Sequence, residues 1–421
     1  MTRHSYRRYR YYIQSLHWHS QEWSPEIYHN LEEIENRLES LIIQHSDLLS
    51  REHLGVTAQG RNISAIIVKK DNKRTKPVIW LDCGIHAREW VSPPACLHAI
   101  HTLVQDSNSV QPQGDLLDAF DFYILPVANP DGYVYTWTHN RMWRKNRAGK
   151  KSFADECTGV DPNRNFDADF ASAPRQQCKE SYRGTHAFSE AESKAIKKGV
   201  ELIKKLYGQD RLAAFVSIHA YSQFWMSPMG YTKARPKDYN DHMRVMKKAT
   251  DALSSVYGTR FKYGPISEVI YIAAGSSVDW AYENAGIKYS FGLELRDSFE
   301  GRWGFLLPQV RPERSKRILN FFFQSEIQPT VKETWAGLKA MAWAIAPEFG
   351  VQQVATLWTI MTFQVDVNLN VNGNCSCGFL QSRSYLVIRV AITLLFQGSS
   401  ENGQQFPSGG SLPEGLQITF G

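Results

Sequence analysis

Val78-Ile-Trp-Leu-Asp-Cys-Gly-Ile-His-Ala-Arg-Glu-Trp90 opens on an apolar run, passes through Gly84, and is followed by a helical stretch over Pro93–Gln105. Val78–Asp82 reads as a buried strand, because a short apolar run bounded by a turn suits a sheet covered on both faces. Strand, turn and helix in succession are the repeating unit of an α/β sheet. Within the turn, His86 and Glu89 stand three residues apart. Alone, that pair fits either two thirds of a metal site or an ordinary polar turn after a buried strand.

The same alternation extends outward in both directions. Asn30 with Glu33 is a capping-box start, and Ile34, Leu38, Leu41 and Ile42 recur at helical spacing, predicting a helix over 30–43. Asn62–Lys69 reads as a strand, and so does Phe122–Ala128, stopped by a turn at Asn129-Pro-Asp-Gly132. Ser189–Leu206 is helical, with Ser189 and Glu192 as its capping box. Ala213–Ile218 is a buried strand, Tyr239–Tyr257 a helix, Tyr289–Leu295 a strand and Pro312–Gln324 a helix. Strands alternating with helices predict an α/β domain around a mainly buried sheet, without internal repeats. Past Ala346-Pro347 the pattern changes: Phe363–Val371 alternates with period two, Asn372-Gly373-Asn374 supplies a turn, and Gln397–Gly415 is rich in Gly, Ser and Pro. Residues 348–421 therefore read as a β-rich appendage or as a tail without stable structure.

With 421 residues, 43% of them apolar and 21% charged, the chain is long enough for one large or two ordinary domains and too apolar for a disordered protein. The net charge of +6 is spread out except at the start, where Arg3, Arg7, Arg8 and Arg10 crowd together. Such a cluster is a basic arm for anionic partners or a frayed, protease-sensitive terminus, and the second suits a segment over 1–24. Without a groove-reading motif, no nucleic-acid partner is expected. No run of about 18 uncharged apolar residues occurs, so no membrane span is expected. None of the six cysteines, Cys83, Cys96, Cys157, Cys178, Cys375 and Cys377, forms a Cys-x-x-Cys pair, which argues against a thiolate zinc site.

Loops beyond the carboxyl ends of strands converge on one crevice in open α/β sheets. His86 and Glu89 follow one predicted strand, and His219 follows Ala213–Ile218 directly. Two imidazoles and one carboxylate with an open fourth position make a catalytic zinc arrangement, and Asp161 is suited to accept a hydrogen bond from a ligand imidazole. Glu294 sits inside the apolar stretch Tyr-Ser-Phe-Gly-Leu-Glu-Leu. It is either salt-bridged, with Arg296 as a candidate, or a general base acting on a zinc-bound water. Arginines cluster in Arg141-Met-Trp-Arg144 and beside amides in Asp161-Pro-Asn-Arg-Asn165, which suits capture of a carboxylate.

Assembled, these residues resemble the zinc metallocarboxypeptidases of the pancreatic carboxypeptidase A/B type over roughly 25–345. The motifs that carry the resemblance occur in the family's order: HAREW at 86–90, NRMWR at 140–144, DPNRN at 161–165, SIHAYS at 217–222, the run from Tyr271 to Trp280, and LELRD at 293–297. The resemblance implies a mixed, mostly parallel eight-stranded sheet flanked by helices, with residues 25–347 as catalytic domain and 348–421 as an extension. It also implies one zinc ion per chain held by His86, Glu89 and His219, Glu294 as general base, and Arg144 polarising the scissile carbonyl. Asn163, Arg164 and Tyr271 would hold the substrate's terminal carboxylate, Arg88 and Arg141 would line the approach, and Tyr221 and Phe305 would contact substrate. Disulfides Cys157–Cys178 and Cys83–Cys96 match the family, the second its B-like branch, and imply secretion.

By the same resemblance, Val278 stands where B-type enzymes carry an aspartate that pairs with a terminal Lys or Arg. Ile266, Ile270, Ala273 and Gly292 match the surrounding pocket positions. An apolar pocket cannot compensate a buried ammonium but gains from every carbon it covers. Hydrophobic C-terminal residues are therefore the expected substrates, with aromatic ones favoured by Gly292. The implied partners are peptide or protein C-termini, acted on by a monomer. A family pro-segment is not recognisable beyond the basic start, and 348–421 matches no family motif. An inactive, zinc-retaining peptide-binding protein is the competing class, and retention of Glu294 and Arg144 argues against it.

Overall fold

The computed structural model describes residues 23–71, 75–109, 114–149, 155–309, 325–351, 356–364 and 385–393. Its strands are β1 (Leu49–Val56), β2 (Asn62–Val68), β3 (Val78–Cys83), β4 (Asp121–Leu125), β5 (Leu212–Ser222), β6 (Phe224–Ser227), β7 (Lys262–Pro265) and β8 (Tyr289–Ser298). They form one eight-stranded sheet in the order β1-β2-β4-β3-β5-β8-β6-β7. Its centre, β4-β3-β5-β8, is parallel throughout, while β1, β2 and β6 join antiparallel. This is the mixed, mostly parallel sheet expected.

Helices cover both faces: α1 (Leu31–Gln44), α2 (Ser92–Ser107), α3 (Leu116–Ala119), α4 (Pro130–Thr138), α5 (Ala191–Tyr207), α6 (Tyr239–Tyr257), α7 (Ile266–Val269), α8 (Ser277–Glu283) and α9 (Ile327–Ile345). Alternation along the strands sorts the core onto two faces. Ile79, Leu81, Phe122, Ile124 and Val216 pack with α2 and α9, whereas Val78, Trp80, Tyr123 and Phe215 pack with α5. Gly199 lets α5 lie directly on the sheet, since a Cβ there would come within 2.5 Å of the Trp80 ring.

The Asn30/Glu33 capping box forms as expected. That of Ser189 and Glu192 does not: α5 begins at Ala191, and Ser189 Oγ instead donates to Glu190 Oε1 at 2.6 Å. The Asn129–Gly132 turn proves to be a helix start, because Asn129 accepts the N–H of Gly132 and Pro130 sits in the first turn of α4. β1, β6 and β7 carried no clear sequence signal. β1 is an edge strand of mixed polarity, and β6 and β7 have four residues each. The helix predicted over Pro312–Gln324 lies outside the described residues.

Two compact units are present, residues 1–353 and 354–421. The first includes Glu348, which pairs with Lys288 and Arg244. In the second, strands β9 (Thr356–Gln364) and β10 (Tyr385–Thr393) pair antiparallel. The alternating stretch over 363–371 overlaps β9 at its first two residues, and the remainder lies outside the described residues, as does the Asn372–Asn374 turn. No helix among the described residues is long and apolar enough to cross a membrane. Disulfides join Cys83 to Cys96 and Cys157 to Cys178.

Candidate active site

The crevice lies at the carboxyl ends of β3, β5 and β8. β3 ends at Cys83, and the disulfide to Cys96 on α2 closes the loop that carries His86 and Glu89. His219 lies on β5 in register with Glu294 on β8, so neighbouring strands place the two residues side by side. His86, Glu89 and His219 are all buried, with one ligand atom of each within 4.8 Å of the others. His86 Nδ1 is 2.8 Å from Glu89 Oε1, His219 Nδ1 is 3.0 Å from Glu89 Oε2, and the two Nδ1 atoms are 3.0 Å apart. Two imidazole nitrogens and a carboxylate aimed at one point are the donor set of a catalytic zinc site, so the residues fit that ion.

Partners behind the histidines orient them. His86 Nε2 lies 3.0 Å from Asp161 Oδ1, and His219 Nε2 lies 3.1 Å from Ser217 Oγ. Burial alone would raise Asp161, yet the Arg144 guanidinium and His86 hold it well below the usual carboxylate range. Burial likewise opposes ionisation of Glu89, but His86 and His219 outweigh it and bring Glu89 down. Burial and then the neighbouring Arg144 lower His86, while Glu89 overcomes burial to raise His219.

Glu294 is the counterpart. Burial, then the nearby Glu89 carboxylate, pushes it up to about 8, although His219, Arg144 and Arg164 pull the other way. Arg296 is not its partner, since that guanidinium binds Glu326 at 2.7 Å and Glu333 at 2.5 Å. Arg144 is anchored by Nε and Nη2 to Asp161 Oδ2, at 3.0 and 2.9 Å, with Nη1 3.7 Å from Glu89.

Asn163 and Arg164 follow Asp161 in a short 3-10 turn. Asn163 Oδ1 accepts the Ser277 N–H at 2.8 Å, tying the turn to α8. Arg164 is buried and donates to the hydroxyl of exposed Tyr271 at 3.0 Å. Arg88 stacks 4.5 Å above the Phe305 ring, which meets Tyr221 edge-on at 4.8 Å. Arg141 does not stand free in the approach. It is buried against Trp90, and its fork donates to the carbonyls of Arg88 and Phe305 at 2.6 and 2.7 Å, bracing both loops.

An apolar cluster of Met226, Ile266, Val269 and Val278 adjoins these residues, with Ile270 packed against it. A Cβ on Gly292 would meet Val278 Cγ2 at 3.4 Å and Met226 Cε at 3.9 Å. Ala273 is buried close by, its N–H donating to Gly230. The adjoining acid, Asp279, accepts the N–H groups of Gly230 and Tyr231, and burial pushes it up to about 7. Met226 was missed in the sequence because it lies on β6, a strand too short to announce itself. Ser217 was not singled out either, although its place two residues before His219 puts it on the same strand face.

Residues 34–337 match a family described as zinc carboxypeptidase. Carboxypeptidase A2 of Rattus norvegicus is 42% identical over 318 residues, covering 75% of this chain and 70% of the relative. Carboxypeptidase B of Bos taurus is 41% identical over 318 residues, with the same coverage. Among solved structures, carboxypeptidase A from Helicoverpa armigera superposes with a TM-score of 0.68 at 30% identity, covering 81% of each chain. Bovine thrombin-activatable fibrinolysis inhibitor, solved with tick carboxypeptidase inhibitor, gives a TM-score of 0.66 at 35% identity over 77% of this chain and 99% of that one.

Proposed function

This chain belongs to the zinc carboxypeptidase family, and from that premise we propose that it releases hydrophobic, preferentially aromatic, residues from peptide C-termini with Glu294 as general base. Metallocarboxypeptidase activity follows from the family; the substrate preference and the residue roles are our reading. The observation that carries it is the placing of Glu294 in register with His219, beside the His86–Glu89–His219 trio.

His86, Glu89 and His219 would hold zinc, whose chemistry when bound is Lewis acidity toward a carbonyl and acidification of water. Glu294, a carboxyl set beside the trio, suits both taking a proton from water and returning it to the leaving amine. Arg144, held rigid by Asp161, offers positive charge to an oxyanion at no cost in reorganisation. Arg164, Asn163 and Tyr271 form a hydrogen-bonded group suited to a terminal carboxylate, and the linkage of Arg164 to Tyr271 supports their joint action. Phe305, Tyr221 and Arg88 would line the groove, with Arg141 bracing it from beneath.

The apolar character of Val278, Ile266, Ile270, Ala273 and Met226 supports hydrophobic over cationic side chains, as does the engagement of Asp279 by backbone N–H groups. We further propose residues 25–347 as the catalytic domain of a monomer acting outside the cell. The two disulfides support that location.

Hydrolysis of blocked dipeptides ending in Phe, Leu, Lys and Arg, with and without a chelator, tests this. The expected order places Phe first and Arg last, with activity lost on chelation and restored by zinc. Glu294→Gln should lose turnover by at least about 100-fold while binding zinc normally. Full activity of that variant would refute the assignment of the base.

A further inference from the structure

Behind His219, on the side away from Glu89, a hydrogen-bonded chain leads into the sheet. Ser217 Oγ donates to Asp82 Oδ1 at 2.7 Å, and Trp80 Nε1 donates to Asp82 Oδ2 at 2.9 Å. Asp82 and Ser217 are fully buried and His219 almost so. We propose that Asp82 is a positioning residue for zinc binding, acting on His219 through the Ser217 hydroxyl. Asp161 would do the same for His86 by direct contact. The inference rests on the reading of His219 as a zinc ligand.

The direction of each hydrogen bond follows from the chemistry of the groups. An indole N–H only donates and a carboxylate only accepts, so Asp82 fixes the Ser217 hydroxyl proton on itself. The Ser217 oxygen is then left to accept, and its neighbour at 3.1 Å is His219 Nε2. Asn163 Nδ2, its amide held against flipping by the Ser277 N–H on Oδ1, is a donor that would favour the opposite tautomer. At 3.4 Å from the same nitrogen it is the more distant partner, and the Ser217 oxygen at 3.1 Å outweighs it. The His219 proton is therefore directed to Nε2, leaving the Nδ1 lone pair aimed at Glu89 and His86, where the ion would sit. No loop takes part. Asp82 and Ser217 are paired residues on adjoining parallel strands, and Ser217 and His219 lie two apart on β5. The sheet thus holds the relay rigidly.

Asp82→Asn reverses the relay. Its amide oxygen would accept from Trp80, its N–H groups would face Ser217, and the hydroxyl would then donate to His219 Nε2. That arrangement puts the imidazole proton on Nδ1, the metal-facing atom. Zinc affinity of the full chain, measured by competition with a chromophoric chelator at fixed pH, should fall by about 10- to 100-fold, as for loss of a ligand's hydrogen-bond partner. Ser217→Ala should lose about 10-fold. The double variant should match Ser217→Ala within about twofold, because without the hydroxyl Asp82 no longer reaches the ring.

In the zinc-loaded parent, the His219 Nε2 proton should appear as a slowly exchanging downfield NMR signal. In zinc-loaded D82N, where Nδ1 coordination still requires that proton but Ser217 no longer accepts it, the signal should exchange markedly faster. Parental zinc affinity in D82N, or losses that multiply in the double variant, would overturn the proposal. Should D82N fail to fold, Ser217→Thr against Ser217→Ala decides: threonine keeps the affinity if the relay operates, and equal affinities refute it. His219→Ala separates the two levels, since undiminished zinc binding there would remove the ligand assignment itself.

Discussion

Gly292→Val is the sharpest probe of the proposed substrate pocket. Gly292 lies inside β8, opposite Met226 of β6 and facing Val278, and a Cβ there meets only side-chain atoms at 3.4 and 3.9 Å. The backbone is in an ordinary strand conformation, so valine adds bulk without backbone strain and gains β-propensity, its γ-carbons pointing among the side chains of Val278 and Met226. Its three side-chain carbons would occupy space that an aromatic substrate group needs. At about 0.8 kcal/mol per carbon no longer buried, the loss is about 2.4 kcal/mol, or about 60-fold in kcat/KM. A substrate ending in Ala does not reach that depth and should change by less than about threefold. The assay is kcat/KM for blocked dipeptides ending in Phe and in Ala, with urea unfolding as a check on stability. Equal losses on both substrates, or an undiminished rate on Phe, would refute the pocket reasoning.

Two further outcomes concern stability. Burial, aided by Glu190 and Asp131, pushes Glu192 up to about 7 from its ordinary 4.5. A carboxyl raised on folding stabilises below its unfolded value and loses that contribution as pH rises through the folded one. Glu192→Gln should therefore exceed the parent at pH 8 by up to about 3 kcal/mol and match it near pH 4 in urea titrations; equal gains at both pH values would refute this. Replacing Cys83 and Cys96 together by Ala opens a loop of sequence separation 13. It should lower unfolding free energy by about 3 kcal/mol, and a loss under about 1 kcal/mol would show that native packing already closes the loop.

Much of the site was legible because it hangs on strand ends. Val78–Asp82 and Ala213–Ile218 are apolar enough to be recognised as buried strands, and the polar residues that follow them face a common crevice, although His219 still lies within β5, which runs on to Ser222. Glu294 was conspicuous as a carboxyl in an apolar run. Short or edge elements were less visible: β1 mixes polar and apolar residues, β6 and β7 are a single short run each, and the Asn129–Gly132 turn signal also serves as a helix start. The sequence also does not reveal that the Arg141 guanidinium is buried against Trp90 and donates to the carbonyls of Arg88 and Phe305.

Residue type and strand periodicity alone determine the α/β class, the chemistry of the donor set and the apolar character of position 278. These are properties of single residues and local repeats, and any chain carrying them would express them. Which atoms meet is a tertiary matter. The β5–β8 register sets Glu294 beside His219, Arg296 turns to Glu326 and Glu333 instead of Glu294, and the β3–β5 register brings Asp82 to Ser217. Pairing between distant strands depends on how the whole sheet packs, and no local stretch of sequence encodes it.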